Sequence, residues 1–136
     1  MHEAIRVYRN HFKPSTTLEK PYVMLGIPMV VADTDEQAEY LATSVYQRIL
    51  ALIRGQSLMQ RPPVESMEGL WLPHERDAVM SFLGLAMIGS PQKVRAKVEV
   101  LLEQTGADEL IFTCDLYEHA DRIRSYELMA QALKAE

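Results

Sequence analysis

Cysteine is almost missing from this chain. Cys114 is the single one in 136 residues, which excludes an internal disulfide and any zinc site built on paired cysteines. A reducing compartment, the cytoplasm, fits that usage. Basic charge is also short: Lys and Arg number 14 against 19 Asp and Glu, a net charge of −5. The cationic footprint that holds nucleic acid or an anionic membrane surface is therefore lacking, and neither is expected as a partner. The opening stretch MHEAIRVYRNHF is interrupted by charged side chains, so it is neither a secretory signal nor a membrane span. No repeat and no low-complexity segment is present. What remains is a single domain over 1–136, with 48% hydrophobic and 24% charged residues, the balance of a globular protein that handles small molecules.

Hydrophobic spacing divides the chain. Ile5, Tyr8 and Phe12 form a narrow helical stripe that Pro14 ends. Tyr22 to Ala32, YVMLGIPMVVA, is continuously apolar and rich in β-formers, the pattern of a buried strand. Pro28 inside it removes a ladder donor and predicts an irregularity or a side left unpaired. Thr34 and Gln37 open a helix through a T-x-x-Q cap, and Ala38, Leu41, Ala42, Val45, Ile49 and Leu52 line one face of it as far as Gly55. Val79, Phe82, Leu83 and Ala86 predict a further helix ending near Gly89. Ser90 and Pro91 open another, with Val94, Val98, Leu101 and Leu102 as its stripe and Gly106 as its stop. Leu110 to Cys114 is a second buried strand. Ile123, Tyr126, Ala130 and Leu133 then predict a last helix.

Strands separated by helices indicate an α/β protein with parallel pairing. About two strands and four to five helices are legible in this pattern. Two parallel strands alone leave their edges open, so the expected architecture is part of something larger.

The stretches YRNHFKPSTTLEKPYVMLG, VVADTDEQAEYLATS and LAMIGSPQKVRAKVEVLLEQTGADELIFTCDLYEHADRIRSYELM together resemble the C-terminal part of bacterial luciferase-like, flavin-dependent monooxygenases of the alkanal monooxygenase type. The resemblance runs from Tyr8 to Met129. It implies the C-terminal part of a (β/α)8 barrel, a fold that takes about 250 residues to close. Tyr22 to Ala32 would be the seventh strand and Ala107 to Cys114 the eighth. The opening helix would be the sixth and the helix after His119 the eighth. Gln56 to Ser90 would be the insertion after the seventh strand, lying over the barrel mouth as a lid.

The resemblance further implies reduced FMN as cofactor and oxidation of an aldehyde or another small organic substrate. The family's flavin contacts and catalytic histidine lie on earlier strands that no position here matches. No catalytic, cofactor-binding or metal residue is therefore assigned. The expectation is a fragment, inactive alone and completed by an N-terminal barrel partner. The alternative is a non-enzymatic α/β module that buries its strand edges by homo-oligomerising.

Within the insertion, Met59, Arg61, Pro62 and Trp71, with Pro63, are the candidate lid residues. An irregular loop carrying an aromatic ring and aliphatic side chains can close a pocket, although it can equally pack as structure. Ser90 and Pro91 combine a cap with a potential phosphate site. Cys114 is either a thiol facing a ligand or a small buried hydrophobe. His74, Glu75 and Asp77, like His119 with Asp115 and Asp121, suit the start of a helix better than a metal. His2 and His11 join no constellation. Arg122 and Arg124 either anchor an anion or pair with neighbouring carboxylates.

Overall fold

The computed structural model describes residues 1–57 and 59–134; Leu58, inside the expected insertion, lies outside them. Among the described residues five helices accompany a parallel sheet: α1 (His2–His11), β1 (Met24–Val31), α2 (Asp35–Ile53), α3 (Pro73–Phe82), β2 (Met87–Gly89), α4 (Pro91–Thr105), β3 (Glu109–Thr113) and α5 (His119–Lys134). The strand order is β2-β1-β3. β1 pairs through Met24 to Pro28 with β3, and through Met29 to Val31 with β2. The sheet thus has three strands where the sequence showed two. Three residues cannot display a period of two, and Met-Ile-Gly reads as the tail of the preceding helix. That helix stops at Phe82 instead, and a turn through Gly84 leads into β2.

Successive strand residues alternate between faces. Ile27, Met29 and Val31 join Met87 in a core closed by Val94, Val98 and Leu101 of α4 and by Leu128 and Met129 of α5. Val30, Ala32 and Ile88 point the other way, into a second core with Ala38, Leu41, Ala42, Tyr46 and Ile49 of α2 and Val79 of α3. Both faces are covered at the carboxyl ends of the strands. Toward their amino ends only the α4/α5 face is covered. Met24 is 51% exposed and Ile111 47% exposed, and register places Ile111 beside Gly26 on the bare face.

Pro28 sits where its missing donor does no harm. Backbone amides alternate in direction along a strand. That of Val31 donates to Ser125 Oγ of α5 at 2.8 Å, and that of Ala32 to the Gly89 carbonyl of β2 at 3.3 Å. Pro28 shares the direction of Ala32, and β2 pairs only from Met29 onward. The expected unpaired side is found there.

The helices start and stop for local reasons. Thr34 Oγ1 accepts the Gln37 amide at 3.1 Å. α4 ends at Gly106, whose φ of 60° places it in the left-handed region, and the Arg9 guanidinium of α1 packs over it, Nη2 donating to the Gly106 carbonyl at 2.9 Å. Glu75 ties α3 to the end of α2: it accepts from Arg54 Nε at 2.6 Å and Nη2 at 2.8 Å, and from the Leu72 amide at 2.9 Å. α5 buries Ser125, Leu128, Met129 and Ala132, not the stripe through Ile123 and Tyr126, which are 45% and 46% exposed. The face is turned because Ser125 reaches the end of β1, where β3 has run out. No described helix is long and apolar enough to cross a membrane.

Candidate functional site

A cavity of about 320 Å³ opens on the second face of the sheet, near the carboxyl ends of β1 and β3. Its apolar wall comes from four places: Pro28 to Val30 of β1, Val45 and Ile49 of α2, Phe82, Leu83 and Ala86 at the end of α3 and just after it, and Ile88 of β2. Pockets of this size and lining suit small organic molecules. The polar groups are few. Arg48 of α2 and Asp115, the residue after Cys114 at the tip of β3, form an ion pair at 2.8 Å between Nη1 and Oδ2. Thr113 and Cys114 at the end of β3 and Tyr126 of α5 complete the polar lining among the described residues.

Each polar group is held by a specific contact. Gln60 Nε2, from the long loop, donates to the Asp115 carbonyl at 2.7 Å and to its Oδ1 at 3.2 Å. The Cys114 amide donates to the Tyr126 hydroxyl at 3.1 Å. Burial pushes the Cys114 thiol up from its ordinary value, only partly opposed by hydrogen bonds from Ser125 and the Leu116 backbone and by the charge of Arg122. The thiol therefore stays protonated near neutral pH and is a poor nucleophile. Its wall role is that of a small hydrophobe.

The loop residues singled out in the sequence lie elsewhere. Met59 is 69% exposed. Arg61 and Pro62 are exposed, and their carbonyls accept from Ser44 Oγ at 2.5 Å and Gln47 Nε2 at 3.0 Å. Val64 exchanges hydrogen bonds with the Thr43 hydroxyl at 2.9 and 3.2 Å. The loop is thus laced along one flank of α2. Trp71 packs its ring on Tyr46, centroids 5.8 Å apart. None of Met59, Arg61, Pro62 and Trp71 lines the cavity; among the loop's described side chains, Gln60 reaches its rim through Asp115.

Ser90 does not present a free amide to an anion. Asp35 Oδ1 accepts from the Ser90 N–H at 2.7 Å, and this contact, first among the causes, holds the Asp35 carboxyl below its usual range. A carboxylate already seated there repels a phosphate. Arg124 pairs with Asp33 at 2.8 Å. Arg122 donates to the Leu116 carbonyl at 2.5 Å and lies 3.3 Å from His119 Nδ1. His11 Nδ1 lies 3.0 Å from the Val7 carbonyl of its own helix. Among the described residues no group of three or more His, Cys, Asp and Glu could hold a metal ion.

No protein-family model matches the chain. It is 37% identical over 93% of its length to an Escherichia coli (strain K12) protein named luciferase-like monooxygenase, covering 38% of that protein. The chain resembles part of a luciferase-like monooxygenase. It is also 44% identical to the uncharacterised Bacillus subtilis protein YvbT, over 96% of this chain and 39% of YvbT. Among solved structures, apo-MsnO8 matches with a TM-score of 0.78 and 22% identity, over 99% of this chain and 41% of that one. The chain thus spans about two fifths of the length of the curated relatives it matches.

Arg48 and Tyr126 escaped the sequence reading for different reasons. Arg48 is a single cation bordering the apolar stripe of α2, and one charge on a helix flank carries no periodic signal. Tyr126 reads as part of a core stripe, because an aromatic at helical spacing usually belongs there. Asp115 did leave a signal. It is the first charged residue after the Leu110 to Cys114 run, the position at a strand's carboxyl end where α/β proteins place ligand-binding groups.

Proposed function

We propose that this chain forms the C-terminal part of a luciferase-like, FMN-dependent monooxygenase, the last two strands of a (β/α)8 barrel with the insertion between them. β1 and β3 would be the seventh and eighth strands, and α4 and α5 the outer helices that follow them. One observation carries the reading: 93% of the chain aligns at 37% identity with a protein named luciferase-like monooxygenase while accounting for only 38% of it. The bare inner face formed by Met24, Gly26, Pro28 and Ile111 supports it, because in a closed barrel that face is filled by side chains from the other strands. The cavity at the carboxyl ends of the strands supports it too, since barrels place their active sites there.

Reduced FMN, when bound, supplies the electrons with which oxygen is activated to oxidise an aldehyde or another small organic molecule. The residues of this chain do not make a cradle for the FMN phosphate. Asp35 occupies the amide of Ser90 at the start of α4, and Arg48, the one cation among the described residues lining the cavity, is already paired with Asp115. Phosphate binding is therefore assigned to the three fifths or so of the relatives that this chain does not cover. The part left to this chain is the apolar wall, exclusion of water and orientation of the substrate. The loop between α2 and α3 would brace α2 from outside, with Met59, Arg61, Pro62 and Trp71 standing off the cavity, and would touch its rim through Gln60.

The test is complementation. The chain is mixed with the separately expressed N-terminal portion of the Escherichia coli relative and titrated with FMN, following flavin fluorescence, with molar mass from light scattering. The expected result is saturable quenching by a one-to-one complex and none by this chain alone. A chain that forms only homo-oligomers and ignores the N-terminal portion would defeat the reading and leave the non-enzymatic α/β module, whose bare face is covered by a second copy.

A further inference from the structure

α4 carries its charges the wrong way round for a lone helix. Lys93, Arg95 and Lys97 fill its first half and Glu99 and Glu103 its second, with no acid in the first turn and no base in the last. The helix dipole favours the reverse, acids near the amino end and bases near the carboxyl end. Glu99 is answered by Arg95 one turn earlier at 3.1 Å, but Lys93, Lys97 and Glu103 enter no ion pair among the described residues. The two lysines act on Asp35 only through space.

The middle of this face is apolar. Between the charged ends lie Ala96 and Val100, both exposed, Val100 by 50%. Beside them a groove of about 390 Å³ runs between α4 and the turn that leads into β2, with Leu85, Ala86 and Met87 on one side and Ala96, Val100 and Gln104 on the other. It opens on the α4 side of the sheet, opposite the bare face.

We propose that this face docks a second copy of the chain, α4 lying antiparallel to α4 about a two-fold axis near Val98. Lys93 and Glu103 stand about 15 Å apart along the helix. The two-fold brings Lys93 of each copy level with Glu103 of the other, and Ala96 level with Val100, so that each contact occurs twice. The small Ala96 admits the opposite Val100 to the groove. Each charge that opposes its own helix dipole then meets an opposite charge, which is what the layout of α4 lacks in a single copy. A partner of uniform charge would be repelled at one end of this face, whereas a second α4 running the other way is attracted at both. The inference goes beyond the monooxygenase reading and does not rest on it. An N-terminal portion would meet the bare face, so two chains joined through α4 could each dock one and keep the one-to-one stoichiometry.

The test follows molar mass by sedimentation and light scattering of the full chain from micromolar to millimolar concentration, where it is expected to pass from monomer to dimer. Lys93→Glu and Glu103→Lys should each weaken the dimer about tenfold or more, because an attraction becomes a repulsion at two places. Both changes suit the helix dipole better than the native residues do. A lost dimer therefore cannot be ascribed to a melted α4, and circular dichroism should stay native. Mixing the two variants decides the matter. The Lys93→Glu chain keeps Glu103 and the Glu103→Lys chain keeps Lys93, so each repels its own kind, while a mixed pair regains both attractions and should dimerise with about the native strength. Val100→Asp should weaken every pairing. A chain that stays monomeric throughout, a dimer that neither charge substitution moves, or a mixture no tighter than its components overturns the proposal.

Discussion

β1 sends Ile27, Met29 and Val31 to one side of the sheet and Met24, Gly26 and Pro28 to the other, and the two sides have different fates. The first three are 1–2% exposed beneath α4 and α5. The others face outward beside Glu109, Ile111 and Thr113 of β3, every one of them exposed. Both sets lie on the same backbone, eight residues long, so strand propensity cannot account for the difference. What differs is whether a neighbouring element exists to cover them. The covered side is a finished core. The bare side is mostly apolar, Met24, Gly26, Pro28 and Ile111 between Glu109 and Thr113, and it has no wall opposite it.

Substitutions can sharpen that contrast. Ile27→Ala on the covered side should lose about 2–5 kcal/mol of stability in urea unfolding followed by circular dichroism. Ile111→Ala on the bare side should change the isolated chain by less than about 0.5 kcal/mol and become costly only once an N-terminal portion has docked. Equal effects in the isolated chain would mean that the bare face is already covered, by a second copy. Ser125→Ala comes next. It strips the Val31 amide of its acceptor at the edge where β3 ends, a loss of about 1–3 kcal/mol, and hydrogen exchange at Val31 should accelerate more than at Ile27.

Gly106→Ala should destabilise by about 1 kcal/mol, because φ is 60° there and an added Cβ would come within 3.3 Å of the Arg9 guanidinium. A cost no larger than that of an exposed helix substitution would mean that α1 is not clamped to α4. The smallest effect concerns pH. The Arg54 guanidinium, followed by the Leu72 amide, holds the Glu75 carboxyl down at about 2. Its folded value lies below the ordinary 4.5, so its contribution to stability is complete above that pH and disappears as pH falls toward 2. The difference in urea midpoint between the native chain and Glu75→Gln should shrink across that window, and a constant difference would show that Arg54 and Glu75 are not paired in solution.

The covered side was also the side most legible in the sequence. Val94, Val98 and Leu101 announced their helix by spacing, and the Leu110 to Cys114 run announced β3, because burial between two layers leaves a periodic or continuous apolar signal. β2 left none, being three residues long and joined without a break to the turn before it. The bare face was legible only indirectly, as strands with too few neighbours. At the cavity, sequence pointed to the strand tip and to the aromatic loop. Arg48 and Tyr126 were not visible, since they reach one cavity from two helices far apart in the sequence.

The central position of β1 also has a consequence in time. The Val23 amide just before it is bound by Asp108, 85 residues later in the chain, and the ladder of β1 with β3 cannot form before that segment exists. During synthesis the strand must wait through the making of α2, the loop, α3, β2 and α4 with one edge open. Such distant pairing slows folding and lengthens exposure to misassociation. The helices can be ready early, but the sheet that organises them is completed only when nearly the whole chain has emerged.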